Sequence, residues 1–112
     1  MTQEEKQLLL KDLAARLPYG VVIQVNDWTL LDTILKTGHI EQLLNDNIKL
    51  KPYLRPLSSM TEEEEIFYNI KYPYIKNYEQ VDWLNVHHFD YRGFIEKGLA
   101  IEVTKENNPY EN

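Results

Sequence analysis

The start of the chain joins an α-helix to a β-strand through a proline and a glycine, and this join restricts the fold most strongly. Thr2 and Glu5 have the spacing of a capping box, in which a hydroxyl and a carboxylate each bind a backbone N–H at a helix start. Leucines follow at helical spacing until Pro18, which ends the helix. After Gly20, the β-branched run at 21–25 predicts a buried strand. Because a lone strand needs partners for its backbone hydrogen bonds, the pattern predicts an α+β fold.

The full prediction is a small antiparallel sheet packed with helices. We expect about three to five strands, with the N-terminal helix and one or two C-terminal helices against them. A chain of 112 residues fits one domain. Residues 1–103 are predicted to form this α+β domain, and the polar tail at 104–112 is expected to fray.

The region 27–48 is compatible with two structures. Asp27 can cap a helix that ends at Gly38, or the chain can form a hairpin that turns at Thr37 and Gly38. Periodicity does not separate the two in short runs. We favour strands, because the strand at 21–25 needs neighbours.

Further helix signals lie in the second half of the chain. Thr61 and Glu64 repeat the capping-box spacing, and the alternation after Tyr68 predicts an extended segment by Pro73. The remaining predicted elements are a helix over 79–88, a short helix from Asp90 to Gly98 and a closing strand over 99–103.

Composition excludes several classes of function. The chain has no cysteine, so disulfides, thiolate metal sites and cysteine nucleophiles are excluded. No basic start followed by a long apolar run indicates secretion, and no stretch is long enough to span a bilayer. Cytoplasmic residence without membrane association is therefore expected. A net charge of −6 argues against general binding of nucleic acid.

Tyrosines and basic residues near the proline-rich segment 51–56 indicate a surface that binds another protein. The two prolines at 52 and 56 exclude this segment from a helix interior and predict a fixed surface segment. Tyrosine and arginine are frequent anchors of protein interfaces. We therefore predict a non-enzymatic protein-interaction module, with the aromatic rings as anchors and the arginine pairing with a partner's carboxylate. Its predicted binding residues are Tyr53, Arg55, Tyr72 and Tyr74.

The alternative hypothesis is a small metal-binding protein or enzyme centred on His87, His88 and Asp90. Imidazoles and a carboxylate are metal ligands and can also act as acid and base. However, adjacent residues of a helix point about 100° apart, so the two histidines do not easily share one ion. A structural histidine at 88 and a helix cap at 90 are favoured, and no cofactor is predicted. Tyrosines among lysines also allow weak nucleic-acid binding, which the net charge disfavours.

Three blocks of sequence resemble a group of uncharacterised small proteins of gut anaerobic bacteria and their phage-like elements. The blocks are MTQEEKQLLLKDLAARLPYGVVIQV (1–25), KPYLRPLSSMTEEE (51–64) and DWLNVHHFDYRGFIEKGLAIEV (82–103), more than half of the chain. The resemblance implies an origin in a mobile element but no activity. This chain has a shorter region at 65–81 than the resembling proteins, and it lacks their Gly-Met-Tyr-like ending.

Overall fold

The α+β fold predicted from the sequence is confirmed in a computed structural model that describes residues 1–26, 30–71 and 78–111. These residues form four α-helices and a five-stranded mixed sheet. The helices are Gln3–Arg16 (α1), Thr37–Leu44 (α2), Glu62–Lys71 (α3) and Tyr78–Val86 (α4). The strands are Val22–Asn26 (β1), Leu30–Ile34 (β2), Lys49–Pro56 (β3), Phe89–Asp90 (β4) and Ile101–Glu102 (β5). None of the described helices has the length and apolar character that crossing a membrane requires.

The sheet has an antiparallel part and a parallel part. Its order is β2-β1-β3-β4, and β5 also pairs with β3. Strand β1 is antiparallel to both β2 and β3, as the sequence predicts. The two short strands run parallel to β3, with Phe89 beside Arg55 and Ile101 beside Tyr53. The closing strand predicted over 99–103 is present as β5, although it is parallel to β3. Strand β4 was not predicted, because a pairing of two residues leaves no alternating pattern in the sequence.

The first helix begins at the predicted capping box. The Glu5 N–H donates to the Thr2 hydroxyl at 3.0 Å, and the Thr2 N–H donates to the Glu5 carboxylate at 2.8 Å. Leu9 and Leu13 of α1 are buried in the core. The other core members come from the sheet, from α2 and from the turns near residue 98: Val21, Ile23, Val25, Leu35, Leu43, Leu50, Leu54, Phe94, Leu99 and Ala100.

Between residues 30 and 48 the structure combines a strand with a helix. The favoured strand is present as β2, but the predicted hairpin turn at Thr37 and Gly38 is wrong, because these residues begin α2. The His39 imidazole explains this start, since its Nδ1 accepts a 3.0 Å hydrogen bond from the Lys36 N–H at the helix cap. The Leu43 side chain of α2 then packs in the hydrophobic core. Residues 27–29, which include the Asp27 cap, lie outside the described residues.

The predicted ends of the later helices need correction. Helix α3 continues to Lys71, so the alternation from Tyr68 to Ile70 lies within a helix. The extended segment predicted by Pro73 lies outside the described residues, which resume at 78. Helix α4 ends at Val86 instead of continuing through His88. His88 has a φ of 64°, in the left-handed region that ends a helix.

Asp90 acts as a cap, but not for a helix. Its carboxylate accepts hydrogen bonds of 3.0 Å from the N–H groups of Phe94 and Ile95. Residues 94–98 form turns, so the short helix predicted here is wrong. The Asp90 carboxylate thus satisfies two backbone N–H groups, as a cap does at the start of a helix. Gly98 has a φ of 73° and turns the chain towards β5.

A buried ion pair within α1 holds an arginine that links this helix to β4. The Arg16 Nε donates to Asp12 at 2.7 Å, and both side chains are 0% exposed. The Arg16 guanidinium also donates to the Phe89 carbonyl at 2.7 Å. Asp12 accepts a further 3.0 Å hydrogen bond from Arg92, so one carboxylate holds two cations.

The C-terminal tail, which the polar composition predicts to fray, returns to the sheet through Tyr110. Its hydroxyl accepts a 2.9 Å hydrogen bond from the Val22 N–H and donates one of 2.7 Å to the Tyr53 carbonyl. The pairing of β1 with β3 ends at Ile23 and Pro52, one residue short of Val22 and Tyr53. The Tyr110 hydroxyl therefore bridges the two strands where their own pairing stops.

Candidate functional site

A surface cleft of about 480 Å³ brings together residues from both functional hypotheses. It lies between the start of α3, the end of α4, strand β3 and the C-terminal tail. Arg55 comes from the predicted interaction residues, and His87 and His88 come from the metal hypothesis. The complete lining is Arg55, Thr61, Glu64, Val86, His87, His88, Asn108, Tyr110 and Glu111.

Arg55 forms a two-pronged ion pair with Glu64 inside this cleft. The guanidinium donates to the two carboxylate oxygens at 2.9 and 2.7 Å, and it lies 4.2 Å from the centre of the Phe89 ring. The hydrogen bonds from Arg55, with smaller contributions from Thr61, lower the pKa of Glu64 to about 2. The pairing of Arg55 with a partner's carboxylate, predicted from the sequence, would therefore require that carboxylate to displace Glu64.

The second capping box positions Glu64. The Glu64 N–H donates to the Thr61 hydroxyl at 3.1 Å, and the Thr61 N–H donates to the Glu64 carboxylate at 2.9 Å. One carboxylate thus caps α3 and pairs with Arg55 on β3. This double role fixes the first turn of α3 against the sheet.

His87 and His88 face different neighbours. The His87 ring lies 4.4 Å from the Trp83 ring, and its Nδ1 is 3.8 Å from a Glu64 oxygen, which is beyond hydrogen-bond distance. The His88 ring stacks on Tyr110 with 3.8 Å between ring centres and 7° between planes. The two imidazoles therefore do not converge on one point.

Burial controls the chemistry of His88. Desolvation is the largest cause that lowers its pKa to about 4, and the nearby Arg16 charge acts in the same direction. His88 is therefore neutral at pH 7. Its Nδ1 is buried and has no hydrogen-bond partner among the described residues. The backbone carbonyl accepts a 2.8 Å hydrogen bond from the Arg55 N–H, which ties the left-handed residue to β3.

The three residues of the metal hypothesis do not form a ligand set. The Asp90 carboxylate is occupied by the N–H groups of Phe94 and Ile95, away from the two histidines. In residues 1–26, 30–71 and 78–111, no three His, Asp or Glu side chains lie where they could hold a metal ion.

The predicted tyrosine anchors differ in their positions. Tyr53 is only 3% exposed, and its hydroxyl donates to Asp32 at 2.9 Å and accepts from Gln24 at 3.3 Å. Its ring therefore belongs to the interior of the fold. Tyr72 and Tyr74 lie outside the described residues.

The sequence did not reveal an exposed aromatic surface on α3 and α4. Phe67 is 49% exposed and stacks on Trp83 with 6.0 Å between ring centres. Val86 is 44% exposed, and it shares one side of α4 with Trp83 and His87 because residues three and four apart lie together. We call Phe67, Trp83, Val86 and His87 the α3–α4 aromatic face. The spacing of Trp83 and His87 was visible in the sequence, but the approach of Phe67 was not.

The surroundings of the aromatic face are acidic. Helices α3 and α4 contain six carboxylates but a single basic residue, Lys71. Glu64 is neutralised by Arg55, whereas Glu62, Glu63 and Asp82 are exposed. The face therefore combines apolar rings with a negative rim.

Comparisons of the chain with models of protein families, with curated proteins and with solved structures gave no match.

Proposed function

We propose that this protein is a non-enzymatic, cytoplasmic interaction module that binds a basic, apolar segment of another protein on the α3–α4 aromatic face. The observation that carries the proposal is the stack of half-exposed Phe67 on Trp83 within an acidic surface. Large aromatic side chains contribute much of the binding energy of protein interfaces. The resemblance to proteins of phage-like elements remains a prediction.

The charge of the face selects the kind of partner. Exposed Glu62, Glu63 and Asp82 repel an acidic segment and attract lysine and arginine. The net charge of −6 acts in the same direction at long range. An amphipathic segment with basic residues beside apolar ones satisfies both parts of the surface.

The lowered pKa values of Glu64 and His88 in the cleft support binding over catalysis by these two groups. An acid–base catalyst near pH 7 works best with a pKa close to that pH. Glu64 has its pKa lowered to about 2 by Arg55, and His88 has its pKa lowered to about 4 by burial. Both groups are thus poorly suited to exchange protons at neutral pH.

Selection from a random-peptide display library tests the proposal. The immobilised full chain is compared with Phe67→Ser and with Leu44→Ser, which changes an apolar residue that is 57% exposed on α2. We expect wild type and Leu44→Ser to enrich peptides that combine Lys or Arg with apolar residues, and Phe67→Ser to lose them.

Three results would contradict the proposal. These are equal enrichment by Phe67→Ser, enrichment of acidic peptides, and no enrichment by the wild type. If the face instead pairs two copies of the chain, light scattering will show a dimer that Phe67→Ser converts to a monomer, and this would also overturn it.

A further inference from the structure

Strand β2 forms one edge of the sheet. Among the described residues, it pairs with β1 alone. The Leu35 N–H donates to the Val21 carbonyl at 2.9 Å, which continues the register of β2 with β1 by one pair. Because the backbone groups of successive strand residues point to alternate sides, those of Asp32 and Ile34 point away from β1. The N–H and carbonyl groups of these two residues are therefore placed to pair with a further strand.

Three exposed side chains lie on one face of this edge. Ile34 is 55% exposed, and Asp32 and Lys36 on either side of it are also exposed. Side chains two residues apart in a strand share a face, so these three lie opposite to buried Leu35. Lys36 still has an extended backbone, with a φ of −127° and a ψ of 163°, so the alternation reaches the start of α2. The face thus presents an acid, an apolar residue and a base in that order.

This order of side chains is complementary to itself in an antiparallel pair. If Ile34 lies opposite Ile34 of a second copy, each Asp32 lies opposite a Lys36. Directly opposite side chains share a face, with about 5 Å between their Cβ atoms. The Asp32 Oδ1 accepts a 2.9 Å hydrogen bond from the Tyr53 hydroxyl, which leaves Oδ2 for the lysine. Lys36 forms no ion pair with any described residue, so its ammonium group is available.

Other symmetric registers lose this match. With Asp32 opposite itself, two carboxylates face each other, which destabilises a strand pair. With Thr33 opposite itself, each Ile34 faces a charged Asp32. The register centred on Ile34 instead pairs apolar with apolar and acid with base. It also lets the outward N–H and carbonyl of Ile34 exchange hydrogen bonds with those of the second copy.

We propose that two copies of this chain pair antiparallel along β2, with Ile34 at the two-fold axis, and join their sheets into one. The same residues contribute from both copies, as in other two-fold interfaces. An unrelated strand would need the same order of acid, apolar residue and base, which a second copy supplies. The net charge of −6 opposes contact between copies elsewhere, whereas this register places a base opposite each acid. The pairing is independent of the α3–α4 aromatic face.

Sedimentation of the full chain at increasing protein concentration tests the pairing. We expect the mass of the wild type to rise from 13.4 kDa to twice that value. Ile34→Lys places two like charges at the axis and should remain a monomer. The control is Leu44→Lys, because Leu44 is 57% exposed on α2, and it should still dimerise. Circular dichroism checks that both variants are folded.

Cross-linking tests the register without relying on a disruptive substitution. The chain has no cysteine, so a single introduced thiol reports on its own surroundings. Ile34→Cys should form a disulfide-linked dimer under mild oxidation, because the two thiols face each other across the axis. Leu31→Cys is the matched control, since Leu31 is 57% exposed on the same strand. Its two copies would lie about 20 Å apart in this register and should not cross-link.

The inference is overturned if the wild type stays a monomer at every concentration, or if folded Ile34→Lys dimerises as the wild type does. Equal cross-linking of Leu31→Cys and Ile34→Cys would overturn the register and the pairing with it. Phe67→Ser separates this inference from the proposed function, because it leaves β2 intact and should still dimerise. A dimer that Phe67→Ser abolishes and Ile34→Lys retains would place the contact on the aromatic face and overturn both.

Discussion

The hydroxyl of Tyr110 donates a 2.7 Å hydrogen bond to the backbone carbonyl of Tyr53, 57 residues earlier in the chain. The same hydroxyl accepts the Val22 N–H, so one side-chain oxygen serves a donor and an acceptor of two different strands. Burial raises the pKa of Tyr110, which keeps the hydroxyl protonated and able to donate. The tail is thereby part of the folded domain.

Tyr110→Phe should reduce the free energy of unfolding by about 2 kcal/mol. The substitution keeps the ring that stacks on His88 but leaves the Val22 N–H and the Tyr53 carbonyl without this partner. Urea unfolding at pH 7 measures the change. Tyr19→Phe is the control, because the Tyr19 hydroxyl makes no hydrogen bond with the described residues. Equal stability of Tyr110→Phe and the wild type would contradict a bridging role.

The capping signals in the sequence were read correctly, whereas contacts between distant residues were not. The capping boxes at Thr2 and Thr61 lie within three residues of their partners, so the sequence alone reveals them. Asp90 was identified as a cap for the same reason, although turns follow it instead of the predicted helix. The Tyr110 hydroxyl contacts Val22 across 88 residues, and no local pattern predicts such a contact.

The candidate site shows the same difference between local signals and contacts of distant residues. Arg55 and the two histidines were named from their residue types, but the sequence did not reveal that Glu64 lies beside Arg55 and near His87. Glu64 was recognised only as a helix cap, because its contact with Arg55 depends on how α3 packs against β3. Tyr53 was taken for a surface anchor, yet its ring is buried on the sheet. Residue type indicates what a side chain can do, and packing decides what it can reach.

His88 should make the protein less stable as the pH falls from 6.5 to about 4. Its pKa is lowered from 6.5 to about 4 in the fold, so in this window the unfolded chain binds a proton that the folded chain does not. The stabilisation is present above pH 6.5 and is lost as the pH approaches 4. After allowance for solvent screening at this half-buried site, the loss is roughly 1–2 kcal/mol.

Urea unfolding between pH 7 and pH 4 measures this dependence. His88→Asn is the informative variant, since asparagine tolerates the left-handed backbone conformation and does not titrate. We expect a smaller pH slope for His88→Asn than for the wild type. His39, whose pKa is also lowered by burial, contributes to both proteins and cancels in the comparison. Identical slopes would show that His88 does not carry the effect.

Arg55 and Glu64 should show a coupling energy of about 2 kcal/mol in a double-mutant cycle. Their side chains are 21% and 18% exposed, so little water screens the pair. Arg55→Met removes the cation, and Glu64→Gln removes the charge while keeping a residue that suits the capping box. The four proteins of the cycle are compared by urea unfolding at pH 7.

Lys6 and Asp46 form the matched control pair. Their ion pair is 2.6 Å long, but the Asp46 side chain is 79% exposed. A cycle with Lys6→Met and Asp46→Asn should give a coupling of about 0.5 kcal/mol. If the two cycles give the same coupling, burial does not strengthen the Arg55–Glu64 pair.

Asp12→Ala should be the most damaging of these substitutions, with a loss of about 3–5 kcal/mol. It leaves the fully buried Arg16 without its carboxylate and also removes the acceptor for Arg92. Thermal and urea unfolding measure the loss, with Glu4→Ala as the control because Glu4 is an exposed carboxylate in the first turn of α1. The control should lose less than about 1 kcal/mol. A similar small loss for Asp12→Ala would mean that Arg16 finds another anion or reaches water. The contact of α1 with β4 through Arg16 would then not depend on this ion pair.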